Sequence, residues 1–269
     1  MKERMLLKES FENGLDHAWF WVREAADAWN VRDSRLRIQA LPGTLWGQRN
    51  DARNLLLRPA QPATRGMTSE VWVRNQPAQQ GEQAGLIWYV DDGTYVKLIK
   101  ECLDGEVWIV MAREEDDQPA LVNRVPVSTD AAAIRLVQGA DAIVGQFRAA
   151  EGDAWQTVGR CASLPIAEIH PGLFAHGGPA DDARGEGQYE RGVPCHAHPG
   201  AARQARSDEA AGQGAARRRR GRARPRLSFA VVRQHGAAKG LRPRARPACS
   251  AGAPFRVMGT MPHGLRAPQ

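Results

Sequence analysis

Aromatic, basic and acidic residues alternate along one predicted strand, TYVKLIKE at residues 94–101. Because successive side chains of a strand point to opposite faces, Tyr95, Lys97, Ile99 and Glu101 share one face. Aromatic rings stack on the C–H faces of sugars, and charged groups fix sugar hydroxyls by directional hydrogen bonds. The pattern predicts a carbohydrate-binding face. A solvated sheet face with a cross-strand ion pair accounts for the same alternation.

A second candidate lies in HAWFWVREAADAW, residues 17–29. On an extended strand Trp21 and Arg23 share one face, and a Trp-x-Arg pair can clamp a ligand by stacking and by hydrogen bonds. Alternatively, the tryptophans of this segment close one end of a core. Two residues of other predicted strands complete the predicted ligand-binding face, which comprises Trp21, Arg23, Arg58, Trp88, Tyr95, Lys97 and Glu101.

The sequence favours a binding module over an enzyme. A glycosidase needs two carboxyl groups flanking the scissile bond, but no E-x-D-x-E run places them on one strand. REEDD at 113–117 is interpreted as a hairpin tip with a solvated flank. CHAH at 195–198 has no second ligand pair, and no P-loop, Rossmann or Gly-x-Ser-x-Gly motif occurs. We therefore predict no catalytic residue, metal or cofactor, with a hydrolase or lyase as the weaker alternative.

The elements that would position these residues are short strands. Runs rich in β-branched and aromatic residues recur at intervals typical of all-β domains. Asp-Gly turns at 92–93 and 104–105 predict a three-stranded antiparallel meander, and Gly139 to Asp141 predicts a further hairpin. Only residues 24–29 invite a helical interpretation, as a turn or a single helical coil. The predicted strands are 36–40, 54–59, 69–75, 84–90, 94–101, 106–114, 121–127, 134–139, 142–149 and 155–161.

Composition divides the chain into two parts. Residues 1–190 carry 20 Lys and Arg against 28 Asp and Glu, a net charge of −8, whereas residues 191–269 carry 17 against 2, a net charge of +15. All eight tryptophans lie in the first part, and the second is rich in Arg, Ala, Gly and Pro. Such a segment buries too little apolar surface to offset the entropy of ordering. We predict a β-sandwich over 1–180 and a disordered, low-complexity tail over 181–269.

The N-terminal segment MKERMLLKESFENGLD is charged throughout, and no window reaches eighteen apolar residues. Neither an export signal nor a membrane helix is predicted. The four cysteines are scattered, so we expect reduced thiols and a cytoplasmic location. The arginine-rich run AARRRRGRARPR, 215–226, lacks interleaved aromatic residues, so nucleic-acid binding through it would be electrostatic and is a weak alternative function.

Several segments, in order, resemble a known family: FENGLDHAWFWVRE, LRIQALPGTLWG, ARNLLLRPA, EVWVR, QAGLIWYVDDGTYVKLIKE, IRLVQGADAIVGQFRA and GLFAHGG. They are similar to the concanavalin A-like domain related to the C-terminal domain of family 43 β-xylosidases and to the regulation-of-enolase proteins. The resemblance covers about residues 8–178 and implies a two-sheet antiparallel jelly-roll sandwich. In the xylosidases this domain is an accessory module beside a catalytic propeller, and we expect residues 1–178 to form the sandwich alone.

Two functions follow from the resemblance and from the predicted face. The first is non-catalytic binding of a carbohydrate or small ligand, with a xylo-oligosaccharide as the implied ligand. The alternative is a protein-interaction or regulatory module that acts on a metabolic enzyme. After GLFAHGG the sequence departs from the family, whose members continue with a closing strand. We hypothesise a frameshift near codons 180–190, which predicts a sandwich that lacks its last strand and exposes a sheet edge.

Overall fold

The structure is a computed structural model, and it describes residues 3–179 and, as strand backbone, 226–237. Two eight-stranded antiparallel sheets, called sheet A and sheet B here, pack face to face. In the described residues the only helix is a single 3-10 turn, Ala26–Ala28. The fold class predicted from the sequence, an all-β two-sheet antiparallel sandwich, is confirmed.

Sheet A has the strand order β16-β15-β14-β9-β18-β4-β3, and β1 also pairs with β18. Its strands are β1 (Glu3–Glu9), β3 (Trp29–Val31), β4 (Leu36–Gln39), β9 (Thr68–Arg74), β14 (Ala131–Gln138), β15 (Ala142–Arg148), β16 (Gln156–Ala162) and β18 (Arg226–Ala237).

Sheet B has the order β13-β12-β11-β10-β17-β7-β2, and β8 also pairs with β17. Its strands are β2 (Phe20–Val22), β7 (Leu55–Leu57), β8 (Gln61–Pro62), β10 (Glu82–Asp91), β11 (Thr94–Leu103), β12 (Glu106–Glu115), β13 (Gln118–Pro126) and β17 (Glu168–Gly177). A separate two-stranded hairpin is formed by β5 (Leu45–Trp46) and β6 (Arg49–Asn50).

The predicted meander is present, since β10, β11 and β12 pair as consecutive antiparallel strands. Asp104 and Gly105 both adopt positive φ in the second turn, as an Asp-Gly hairpin requires. The first turn instead shows a register shift between Tyr89 and Asp91. The predicted hairpin after residue 138 is also formed, by β14 and β15.

Sheet B has apolar side chains on both faces. Its inner face and the inner face of sheet A form the main core, to which alternate residues such as Leu86, Val96 and Leu98 contribute. On the outer face, Ile87, Ile99 and other residues form a second core under the segment that contains β5 and β6. Sheet B is therefore buried on both sides, and its central strand β11 carries the buried polar residues Lys97, Lys100 and Glu101 beside its apolar ones.

The structure differs from the prediction that the sandwich lacks its last strand. Backbone of 226–237 forms β18, which lies between β9 and β4 in sheet A and pairs with both. Within 181–269 this segment alone is described, as a strand where disorder was predicted. The predicted disorder of the rest of that range and the frameshift hypothesis concern residues that the structure does not describe. The same holds for CHAH at 195–198 and for most of the arginine run. No helix of the described residues has the length and apolar character needed to cross a lipid bilayer.

Candidate ligand-binding site

A row of buried polar side chains lies on the outer face of sheet B, beneath β5 and β6. Tyr95, Lys97 and Glu101 of β11 belong to it, on the face that the alternation predicted, and all three are completely buried. Three residues that the sequence analysis did not select lie with them. We call the following six residues the sheet B cluster: Gln83, Tyr95, Lys97, Glu101, Glu114 and His176.

Lys97 is the only cation of the sheet B cluster. Its Nζ donates to the carbonyl oxygen of Leu45 at 3.1 Å and to Oε1 of Gln83 at 3.2 Å. The same ammonium lies 5.3 Å from the ring centroid of Trp46, a cation–π distance. Burial lowers the pKa of Lys97 to about 8, while the charges of Glu101 and Glu114 favour its protonated form. Lys97 is thus a buried lysine whose charge interacts with two acidic side chains, Glu101 and Glu114.

Tyr95 and Glu114 face each other across β11 and β12. The Tyr95 hydroxyl lies 2.5 Å from Oε2 of Glu114 and 2.6 Å from the carbonyl oxygen of Leu45. A hydroxyl has one proton, so it can donate to only one of these two acceptors at a time. Burial raises the pKa of Glu114, whereas the hydrogen bond from Tyr95 and the nearby Gly47 amide lower it.

Gln83 joins Lys97 to the far end of the sheet B cluster. Its Nε2 donates to Oε1 of Glu101 at 2.8 Å, and the neighbouring strand places His176 opposite its backbone. Nδ1 of His176 accepts from the Gly178 amide at 3.1 Å, which leaves the proton of the neutral ring on Nε2. Burial, followed by the charge of Lys97, holds the pKa of His176 well below its ordinary value.

Two buried polar atoms of the sheet B cluster lack a hydrogen-bond partner among the described residues. They are Nε2 of His176, a donor, and Oε1 of Glu114, an acceptor. An unsatisfied buried polar atom costs about 1–3 kcal/mol. Such atoms are uncommon in native proteins, and each calls for a specific explanation, a bound ligand or water among them.

The β5–β6 hairpin covers Tyr95, Lys97 and Glu114 of the sheet B cluster. Each of its strands has two residues, and Gly47 in its turn has a φ of +61°, a left-handed conformation that suits glycine. The Leu45 carbonyl oxygen accepts a hydrogen bond from Nζ of Lys97 and lies within hydrogen-bond distance of the Tyr95 hydroxyl. The carbonyl oxygen of Leu45 therefore lies where the polar ends of Tyr95 and Lys97 both point.

Four of the predicted site residues lie away from the sheet B cluster. Trp88 points into the main core between the sheets, where its Nε1 donates to Oγ of Ser69 at 2.9 Å. This position follows from alternation, because Trp88 and Val96 are paired and both face inward. Trp21 also packs against the main core and stacks on Trp29, with ring centroids 4.8 Å apart. Neither tryptophan is available to a ligand on the outer face.

Arg23 does not share the face of Trp21, because β2 ends at Val22 and Arg23 has a φ of +53°, which breaks the alternation of the strand. Its guanidinium pairs with Asp92 at 2.7 and 3.0 Å, and its Nε donates to the Ala52 carbonyl. Asp92 also accepts from the Tyr89 hydroxyl at 2.9 Å. Arg23 thus holds the β10–β11 turn against the covering segment.

Arg58 lies outside the sheet B cluster as well. Its Nη1 donates to Oδ1 of Asp16 at 3.0 Å, and the guanidinium carbon lies 5.2 Å from the Trp19 ring centroid. Of the seven predicted residues, the structure brings together Tyr95, Lys97 and Glu101. The other four serve packing or ion pairing in the structure.

The sequence analysis did not select Gln83, Glu114 and His176, although strand alternation could have identified them. Gln83 is two residues before Gly85 and four before Ile87, on the same face of β10. Glu114 was assigned to a solvated hairpin flank, but β12 extends to Glu115 and the side chain of Glu114 is fully buried. His176 follows Phe174 at a spacing of two in β17, and both face the second core.

Comparison with known proteins agrees with this architecture. Residues 8–171 match the family described as the beta-xylosidase C-terminal concanavalin A-like domain. No curated protein sequence matches the chain. Among solved structures, a GH43 protein from Bacillus licheniformis has a TM-score of 0.60 and 16% identity, and the alignment covers 84% of this chain and 38% of that one.

Two other solved structures show the same fold. A xylan beta-1,4-xylosidase from Bacillus halodurans aligns with a TM-score of 0.59 and 13% identity, over 85% of this chain and 39% of that one. A functionally unknown protein from Saccharomyces cerevisiae aligns with a TM-score of 0.53 and 11% identity, over 83% and 98%. The chain thus spans about two fifths of the two bacterial proteins. Because the family match extends over more than half of the chain, this protein belongs to the beta-xylosidase C-terminal concanavalin A-like domain family.

Proposed function

We propose that this protein is a non-catalytic carbohydrate-binding module whose ligand binds the sheet B cluster. The observation that carries the proposal is that the Tyr95 hydroxyl, at 2.6 Å, and Nζ of Lys97, at 3.1 Å, both point at one carbonyl oxygen, that of Leu45. A sugar hydroxyl or ring oxygen at that position can accept from either donor. In this proposal the ligand displaces the β5–β6 hairpin and replaces its carbonyl oxygen.

The two buried polar atoms without a hydrogen-bond partner support a ligand with several hydroxyl groups. Nε2 of His176 offers a donor, and Oε1 of Glu114 offers an acceptor. A hydroxyl group both donates and accepts, so a chain of sugar hydroxyls along the row suits both ends. Tyr95, which stays in sheet B when the hairpin moves, supplies an aromatic ring 5.8 Å from Nζ of Lys97 on which a pyranose can stack. The implied ligand is an oligosaccharide such as a xylo-oligosaccharide.

The positions of the carboxyl groups support binding without hydrolysis. Glu114 is opposite Tyr95, and Glu101 lies six residues further along β11, which separates their backbones by about 20 Å at 3.3 Å per residue. Glycosidases place their two carboxyl groups within about 5–10 Å of each other. Asp92 is a further acidic residue whose charge acts on Tyr95. It already forms an ion pair with Arg23 and accepts a hydrogen bond from the Tyr89 hydroxyl.

Isothermal titration calorimetry with xylobiose, xylotriose and xylotetraose tests the proposal, with other neutral oligosaccharides as a panel. We expect binding by the full chain and a loss of about tenfold or more in affinity for Lys97→Met, because one charged hydrogen bond contributes about 1.5–3 kcal/mol. Lys8→Met is the matched control, since Lys8 is exposed.

Absence of binding across the panel by folded protein would overturn the proposal, as would equal losses for Lys97→Met and Lys8→Met. The protein-interaction module predicted as the alternative would then become the better hypothesis. Circular dichroism of each variant separates a lost contact from a lost fold.

A further inference from the structure

The segment between β1 and β2 contains the one Asn-Gly pair of the chain, Asn13 and Gly14. Phe11 is buried in the main core and Leu15 packs against the same core, so this turn is fixed at both ends. Asn13 lies between them and is exposed. Its side-chain amide forms no hydrogen bond with the residues that the structure describes. An exposed, unbonded asparagine amide therefore stands directly before a glycine.

The backbone nitrogen of Gly14 is accessible to the side chain of Asn13. Gly14 has a φ of +87°, in the left-handed region that glycine adopts without steric cost. A Cβ added to Gly14 would meet no atom within 4 Å, so no neighbouring group shields this residue. The Gly14 amide donates to the Phe11 carbonyl oxygen at 3.4 Å, which is long for a backbone hydrogen bond. The nitrogen is thus neither covered nor strongly held.

The other asparagines are held in ways that Asn13 is not. All six asparagines of the chain lie within residues 3–179, which the structure describes. Asn30 lies within β3, and the residue after it is Val31, whose β-branched side chain crowds its own backbone nitrogen. The remaining four use their side-chain amides in hydrogen bonds to the backbone: Asn50, Asn54, Asn75 and Asn123. Exposure, an unbonded amide and a following glycine coincide at Asn13.

We propose that Asn13 is a self-modification site, which converts to aspartate and isoaspartate through a succinimide. The Gly14 nitrogen gives up its proton and attacks Cγ of Asn13. A bond forms between this nitrogen and Cγ, the bond from Cγ to Nδ2 breaks, and Nδ2 takes up a proton and leaves as ammonia. Water then opens the ring at one of its two carbonyl carbons, so the only reactant consumed is water and no atom is oxidised or reduced.

The two ring openings give different products. Cleavage at Cγ gives aspartate, whereas cleavage at the backbone carbonyl carbon of residue 13 gives isoaspartate. Either product places a new carboxylate in the exposed turn, next to Glu12. Isoaspartate also adds one atom to the main chain between Phe11 and Leu15, the two residues that fix the turn to the main core. The reaction involves no residue of the sheet B cluster, so the two proposals are independent.

Incubation of the freshly purified full chain at neutral pH and body temperature, followed by mass spectrometry and peptide mapping, tests this inference. We expect the peptide that contains residue 13 to gain the mass difference between an amide and a carboxylic acid. This peptide should separate into two products of equal mass, one of which accepts a methyl group from an isoaspartyl carboxyl methyltransferase. The intact protein should shift to a more acidic position in isoelectric focusing, and the peptides of the other five asparagines should keep their mass.

Asn13→Gln should abolish the conversion, because the longer side chain would have to close a larger ring. Asn123→Gln is the matched control and should leave the conversion unchanged, since Asn123 is also exposed but lies within β13. Gly14→Ala should slow the reaction, and Asn13→Gln keeps the test decisive if that variant does not fold. An unchanged mass at residue 13 in folded wild-type protein after several weeks would overturn the proposal. So would an equal rate of conversion at another asparagine, or a mass gain that persists at this peptide in Asn13→Gln.

Discussion

Lys97→Met should change how the stability of the protein depends on pH. Burial lowers the pKa of Lys97 to about 8 from its model-compound value of 10.5. As the pH rises through 8, the native state therefore releases this proton while the unfolded state keeps it. The unfolded state binds more protons in the window between the two pKa values, so the free energy of unfolding rises with pH there.

The two pKa values set the size of this effect. Between pH 7 and pH 9.5 Lys97 should raise the free energy of unfolding by about 2 kcal/mol, at about 1.4 kcal/mol per pH unit once the native group has lost its proton. Other groups titrate in the same range, among them Lys100, whose pKa burial also lowers to about 8, and Cys161, whose pKa burial raises to about 11. They are common to the wild type and the variant, so the difference between the two proteins isolates Lys97.

Urea denaturation followed by tryptophan fluorescence at pH 7, 8, 9 and 9.5 measures the effect. The increase in the free energy of unfolding between pH 7 and pH 9.5 should be about 2 kcal/mol smaller for Lys97→Met than for the wild type. Lys8→Met, at an exposed position, should follow the wild type. A difference below about 0.5 kcal/mol between wild type and Lys97→Met would refute the assignment of Lys97 as a buried ammonium.

Three further predictions concern residues that only the structure places. Gly85→Ala should lower the free energy of unfolding, measured with urea, by about 3 kcal/mol, because the new Cβ would clash with the Leu98 carbonyl oxygen. Gly152→Ala, where the added Cβ meets open space, should change it by less than about 0.5 kcal/mol, and equal effects of the two substitutions would contradict the packing. His176 is held neutral, so wild-type stability should fall from pH 6.5 to pH 5.5 by up to about 1 kcal/mol more than that of His176→Gln, and parallel curves would show that His176 is not buried. Trp88→Phe should cost about 1–2 kcal/mol through the lost hydrogen bond while leaving oligosaccharide affinity unchanged in calorimetry; a large loss of affinity would place Trp88 at the site.

The sequence determined the fold class and one row of the candidate site. Strand alternation in TYVKLIKE is a local property, so the shared face of Tyr95, Lys97 and Glu101 follows from the order of residues alone. The Asp-Gly turns likewise fixed which strands are neighbours. These features depend on residues close in the chain, where backbone geometry leaves few choices.

The tertiary structure decided which faces are buried and what covers them. Alternation shows that Trp88 and Tyr95 point in opposite directions, but only the packing of the two sheets shows that Trp88 faces the core. The cover over Lys97 comes from Leu45, fifty-two residues away in the chain. The pairing of β18 with β9 joins residues still further apart. Contacts at such separations depend on the burial of the whole domain, so short-range patterns could not reveal them.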